Sequence, residues 1–128
     1  MLLTNILRRM KILVAEEEPL MLKTLQLKLK KEGHEVFGCA DGRFALEAIQ
    51  HLLPDLVITD TNLPHLSGLQ LISAVKSIIQ KKIPVIVVSA SAQDDMIADA
   101  LDRGAADYIV KPFSLADIAQ RIKKFIAR

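Results

Sequence analysis

The chain has 128 residues, 51% of them apolar and 25% charged, which is the make-up of one globular domain with one core and excludes a disordered, collagenous or fibrous chain. Seventeen Lys and Arg against fifteen Asp and Glu leave a formal charge of +2, too little for a global field directed at nucleic acid or an anionic membrane. Four Phe, one Tyr and no Trp offer little for a stacking groove on single strands, and the single Cys39 excludes an internal disulfide or a zinc site with two thiolates.

Met1–Arg9 carries its arginines after its apolar residues and has no small-residue cleavage site, so it does not read as a signal peptide. Residues 1–9 read as a short extension without assigned function. The first strand runs over Ile12–Ala15, and the spacing of Leu20, Leu22, Leu25, Leu27 and Leu29 predicts a helix over Pro19–Glu32, with Pro19 in its first turn and Gly33 at its stop. Glu35–Cys39 is a second strand, and Ala45, Leu46, Ile49, Leu52 and Leu53 mark a second helix. Leu56–Thr59 is a third strand, followed by helical spacing over Leu69, Ile72, Val75 and Ile79. Val85–Ser89 is a fourth strand, followed by Met96, Ile97, Ala100 and Leu101, and Tyr108–Val110 is a fifth, followed by Leu115, Ile118, Ile122, Phe125 and Ile126.

Runs such as Val85-Ile86-Val87-Val88 are apolar throughout rather than alternating, as strands buried on both faces are. With a helix between every pair of strands, the expectation is an α/β three-layer sandwich around a five-stranded parallel sheet, whose ligands bind beyond the carboxyl ends of the strands. No apolar run reaches the ~18–20 residues of a membrane span, and one cysteine suits a reducing, cytoplasmic compartment.

The strand ends deliver Glu16, Glu17 and Glu18, then Asp60, Ser89 and Lys111. Singly, each has a plain explanation: a Glu run caps the next helix, Asp60 with Pro64 and Gly68 is turn chemistry, a serine ends a strand, and a lysine before proline lies on the surface. Together they point to one site. Clustered carboxylates repel unless a cation sits among them, and hard oxygen ligands suit Mg2+. An aspartate between a divalent metal and a lysine is a plausible nucleophile for phosphoryl transfer, giving an aspartyl phosphate.

Four segments carry a resemblance: Lys11-Ile12-Leu13-Val14-Ala15-Glu16-Glu17-Glu18-Pro19; Pro54-Asp55-Leu56-Val57-Ile58-Thr59-Asp60-Thr61-Asn62-Leu63-Pro64 with Gly68; Pro84-Val85-Ile86-Val87-Val88-Ser89-Ala90; and Gly104 through Tyr108-Ile109-Val110-Lys111-Pro112-Phe113. In order and spacing they resemble the receiver domain of two-component response regulators, over residues 10–128. The resemblance implies flavodoxin-like strand order 2-1-3-4-5 and a domain that catalyses its own phosphorylation and dephosphorylation without being a conventional enzyme. Asp60 would take a phosphoryl group from a sensor histidine kinase or histidine phosphotransfer protein, with Glu17, Asp60 and the Asn62 carbonyl around Mg2+ and Glu16 acting through water. Lys111 would meet one phosphoryl oxygen and Ser89 another. Tyr108 would then turn inward, remodelling the face of the fourth helix, fifth strand and fifth helix, a face that pairs two copies in multidomain relatives. Lys111-Pro112 matches a peptide bond that is often cis in the family.

The usual acidic pair of the family contains Asp; here it is Glu16-Glu17, each longer by one methylene, about 1.5 Å. The alternative is therefore a pseudo-receiver, a binding module working without phosphorylation. A flavin-binding relative of the same topology is disfavoured, because three glutamates in the first loop repel a cofactor phosphate. Direct nucleic-acid binding by this domain is not expected, although the C-terminal helix resembles receivers that continue into a DNA-binding output domain. His34, His51 and His65 read as loop histidines without metal spacing, Cys39 as a small core hydrophobe, and Met21 and Met96 as packing residues.

Overall fold

A computed structural model describes residues 9–126; the sequence-defined extension lies outside these residues except for Arg9. The strands are β1 (Lys11–Ala15), β2 (Glu35–Cys39), β3 (Leu56–Asp60), β4 (Val85–Ser89) and β5 (Asp107–Val110), all parallel, in the order β2-β1-β3-β4-β5. Between and after them lie α1 (Pro19–Lys31), α2 (Gly42–Leu52), α3 (Gly68–Ile78), α4 (Asp94–Asp102) and α5 (Leu115–Ile122).

Alternate residues of the central strands enter opposite layers. Ile12, Val14, Ile58, Ile86 and Val88 pack with Leu25 and Leu29 of α1 and Ile118 and Ile122 of α5. Leu13, Ala15, Val57, Val85 and Val87 pack with Ala45 and Ile49 of α2, Leu71, Ile72 and Val75 of α3 and Ala100 of α4. This two-sided burial is why β4 is apolar up to Ser89 and β3 up to Thr59; each fully buried Ile or Leu stabilises the fold by roughly 1.5–3 kcal/mol relative to exposure.

Four of the five helix starts are set by polar side chains; α4 has no side-chain cap. Glu18 accepts from the N–H groups of Leu20 and Met21, Asp41 from Phe44, and Ser114 from Asp117, while Ser67 and Gln70 cap α3 reciprocally. Gly68 has a specific steric duty. A Cβ there would lie 1.9 Å from the Asp60 carbonyl oxygen, so only glycine lets α3 begin against the end of β3, where its N–H donates to the Thr61 carbonyl at 2.9 Å.

Some expected helix positions are corrected. Leu20 is 73% exposed and Leu27 55%, because the buried stripe of α1 centres on Leu25 and Leu29, with Met21 and Leu22 at its margin. Leu53 is no helix residue but the left-handed cap of α2, at φ 46°. The last helix ends at Ile122 and passes into a 3-10 turn over Lys123–Phe125, from which Phe125 and Ile126 still reach the core.

Candidate functional site

Strand register assembles the site. Ala15 is paired with Thr59, so the next residues, Glu16 and Asp60, leave the sheet side by side. Asp60 is paired with Val88 and Ser89 with Val110, which brings Thr61 beside Ser89 and Lys111 beside both; the Lys111 N–H donates to the Ser89 carbonyl at 2.7 Å. Residues from four strand ends thus meet without any long loop having to be ordered.

Lys111 Nζ donates to Glu16 Oε1 at 2.8 Å and to Asp60 Oδ2 at 2.6 Å. Glu16 is only 2% exposed, and its other oxygen, Oε2, accepts from the Glu18 N–H at 3.1 Å. Asp60, 8% exposed, receives the Asn62 N–H on Oδ1 at 3.0 Å. Two buried carboxylates therefore share one ammonium. Burial raises the Glu16 pKa above its ordinary value, against the opposing pull of the Lys111 and Glu18 hydrogen bonds, and the Asp60 charge adds to the rise. Burial works against the charge on Lys111, but its bonds to Asp60 and Glu16 outweigh that and hold its pKa above the ordinary lysine value.

A second chain of contacts runs from Asp60 toward β5. Thr61 Oγ1 lies 3.4 Å from Asp60 Oδ1 and 2.9 Å from Ser89 Oγ. Ser89 Oγ accepts from the Ser91 N–H at 3.1 Å, and the Tyr108 hydroxyl donates to the Ser91 carbonyl at 2.8 Å. Thr61 is 6% and Ser89 1% exposed, so these hydroxyls have no water to fall back on. No buried side-chain nitrogen or oxygen among the described residues lacks a partner.

Of the residues singled out from sequence, Glu16, Asp60, Ser89 and Lys111 are brought together, and Tyr108 joins through Ser91. Glu17 is exposed and makes no hydrogen bond or ion pair with them, and Asn62 is exposed too, joined to the cluster through its N–H on Asp60. Among the described residues, no three His, Cys, Asp or Glu side chains gather as a ready-made metal group. The donor chemistry nevertheless fits a hard cation: the desolvated carboxylates of Glu16 and Asp60 against the one Lys111 ammonium leave an uncompensated negative charge. Thr61 was not legible as a site residue from sequence; its signal was its place one step beyond Asp60 in the register opposite Ser89. One reading of the histidines changes, that of His51, while His34 lies in the loop before β2 as expected. His51 belongs to α2, and His34 is buried, its Nδ1 accepting from the Met10 N–H at 3.0 Å. Lys111-Pro112 is cis, and Cys39 is buried and free, both as expected.

A doubly wound parallel sheet with a lysine-bridged pair of buried carboxylates at the carboxyl ends of its strands defines a class of signalling domain, and the comparisons agree. Residues 12–123 match the family described as response regulator receiver domain. The transcriptional regulatory protein PdtaR of Mycobacterium tuberculosis is 39% identical over 120 residues, covering 92% of this chain and 57% of that protein. Among solved structures, the BeF3-activated N-terminal receiver domain of Klebsiella pneumoniae RstA superposes with a TM-score of 0.85 at 27% identity, covering 92% of this chain and 99% of that one. The receiver domain of the sensor histidine kinase PA1611 of Pseudomonas aeruginosa, with a magnesium ion coordinated in its active-site cleft, gives 0.83 at 25% identity, covering 91% and 96%. The chain belongs to the response regulator receiver domains of two-component signalling. It spans about half the length of the curated relatives it matches, 57% of PdtaR and 50% of the Mycobacterium bovis regulator PrrA. No helix among the described residues is long and apolar enough to cross a membrane.

Proposed function

We propose that the domain accepts a phosphoryl group on Asp60 from a phosphohistidine donor, in a Mg2+-dependent reaction, and relays the event to the surface of α4, β5 and α5. The observation that carries this reading is the buried Asp60 carboxylate, 2.6 Å from Lys111 and within reach of the hydroxyl-bearing end of β4. An Asp60 carboxylate oxygen attacks phosphorus, the P–N bond to the donor imidazole breaks, and the bonding pair stays on the donor nitrogen, which takes up a proton. Little covalent chemistry is asked of the protein; positioning and charge neutralisation dominate such transfers.

Lys111 neutralises charge on the incoming phosphoryl oxygens, and the Asn62 N–H fixes the carboxylate plane through Oδ1. Ser89 offers its O–H to a phosphoryl oxygen once transfer has occurred. Mg2+, held by Asp60, Glu17 and the Asn62 carbonyl with Glu16 behind them, would supply further neutralisation of carboxylate and phosphoryl charge. Glu16 in place of a shorter acid reaches Lys111 directly, at 2.8 Å, so the lysine begins shared between two carboxylates. Phosphorylation on Asp60 releases it toward the phosphoryl group.

The readout is the link from Ser89 through Ser91 to Tyr108, since a shift of the β4 end moves the carbonyl that the tyrosine holds. The surface so remodelled is where a second copy or an output partner would dock. In a longer parent chain a DNA-binding domain, as in the relatives named as transcriptional regulators, would be the output, and the donor would be a cytoplasmic histidine kinase domain or phosphotransfer protein.

Acetyl phosphate with Mg2+ tests the reading. Intact-mass spectrometry is expected to show one added phosphoryl group, absent without the metal and absent in Asp60→Asn; an unmodified wild-type protein under conditions that modify an ordinary receiver would overturn it.

A further inference from the structure

Thr61 sits between the acceptor and the switch. It is buried, and its hydroxyl is 2.9 Å from Ser89 Oγ and 3.4 Å from Asp60 Oδ1. Each hydroxyl owns one proton, while the ionised carboxylate can only accept. One orientation satisfies every group in the chain. The Ser91 N–H donates to Ser89 Oγ, the Ser89 O–H to Thr61 Oγ1, and the Thr61 O–H to Asp60 Oδ1. The proton that Ser89 would offer to a phosphoryl oxygen is thus already engaged.

We infer that Thr61 is a positioning residue that latches Ser89 in the unphosphorylated arrangement and sets the threshold for switching. The inference rests on the phosphoacceptor reading of Asp60. Forming the acyl phosphate removes the carboxylate's full charge and with it the best acceptor for the Thr61 proton. At the same time a dianionic phosphoryl group competes for the Ser89 proton. Ser89 changes partner, the Ser91 N–H on its oxygen is released or follows it, and the Ser91 carbonyl carries the change to Tyr108. The latch opposes this exchange by the net worth of one buried hydrogen bond.

Thr61→Val keeps the branched shape and removes the hydroxyl; Thr61→Ser keeps the hydroxyl, and Thr61→Ala is a second deletion should valine disturb the packing. The probe is beryllofluoride with Mg2+, titrated while the amide resonances of Ser91 and Tyr108 are followed. Loss of a net hydrogen bond in Thr61→Val or Thr61→Ala is expected to lower the half-saturating beryllofluoride concentration about three- to tenfold. In the free protein the Ser91 amide is expected to move toward its beryllofluoride-bound position. Thr61→Ser is expected to behave as wild type in both. Deletion variants with wild-type titrations and wild-type Ser91 amides would overturn the latch. A wild-type protein that takes up no beryllofluoride would instead overturn the phosphoacceptor reading itself.

Discussion

Two aspartates bracket the same strand, Asp55 just before β3 and Asp60 at its end, and they make nearly the same bonds. Asp55 accepts the Lys11 N–H at 2.8 Å and pairs with Lys81 at 3.0 Å; Asp60 accepts the Asn62 N–H at 3.0 Å and pairs with Lys111 at 2.6 Å. The surroundings differ. The Asp55 and Lys81 side chains are 46% and 39% exposed, one acid to one base in water, whereas Asp60 and Lys111 are 10% and 20% exposed and the lysine also serves Glu16. Burial tends to raise the Asp55 pKa, yet the Lys11 N–H and Lys81 outweigh it and hold the value below the ordinary range; at Glu16 burial wins and the value rises. The lesson is that an Asp–Lys contact is an exposed one-to-one tether at one end of the sheet and a desolvated, charge-unbalanced cluster at the other, and the excess buried carboxylate makes the difference.

The comparison can be broken from the strongest effect downward. Asp60→Asn is expected to abolish phosphoryl incorporation, while Asp55→Asn leaves it at wild-type level, both read by mass after acetyl phosphate treatment. Lys111→Met leaves two buried carboxylates without a counter-charge and is expected to cost about 2–4 kcal/mol in urea unfolding, a figure reduced from that of a fully buried pair because the lysine is partly exposed. The Lys111 contribution is complete below 10.5, the ordinary lysine value, and fades as pH climbs through its raised folded value, so the wild-type advantage over Lys111→Met shrinks in strong alkali.

Glu16→Gln acts in the opposite direction. The folded protein holds a proton on Glu16 more tightly than the unfolded chain does, so this group's contribution to stability falls as pH rises from 4.5 through the higher folded value. Removing the ionisable group is expected to raise the melting temperature at pH 7 by a few degrees and to flatten that part of the pH profile, as thermal scans in low salt without Mg2+ would record. Lys81→Met should cost less than about 1 kcal/mol in urea unfolding, and the difference should shrink further at high salt, since exposed pairs are screened.

How much of this was legible beforehand follows from the same contrast. Strands buried on both faces announce themselves as unbroken apolar runs, so β3, β4 and the sheet they imply are readable, and so are Asp60 and Ser89 at their ends and Lys111 just after β5. Which member of Glu16-Glu17-Glu18 does what is not, because three identical side chains are separated only by where the chain turns: Glu16 is buried on Lys111, Glu17 is exposed, and Glu18 caps α1. Thr61 was missed because its role depends on inter-strand register rather than on any motif. Leu20 and Leu27 misled because leucines recur through α1 on more than the one face that the sheet covers.

The central claim is that the buried carboxylate, not the exposed one, is the phosphoacceptor. Peptide mapping after acetyl phosphate treatment tests it most directly, comparing the segments around residues 55 and 60 with and without Mg2+. The account predicts a hydroxylamine-sensitive acyl phosphate on Asp60 alone, formed only with the metal present. Modification at Asp55, at any of Glu16, Glu17 and Glu18, or nowhere in the chain would contradict it.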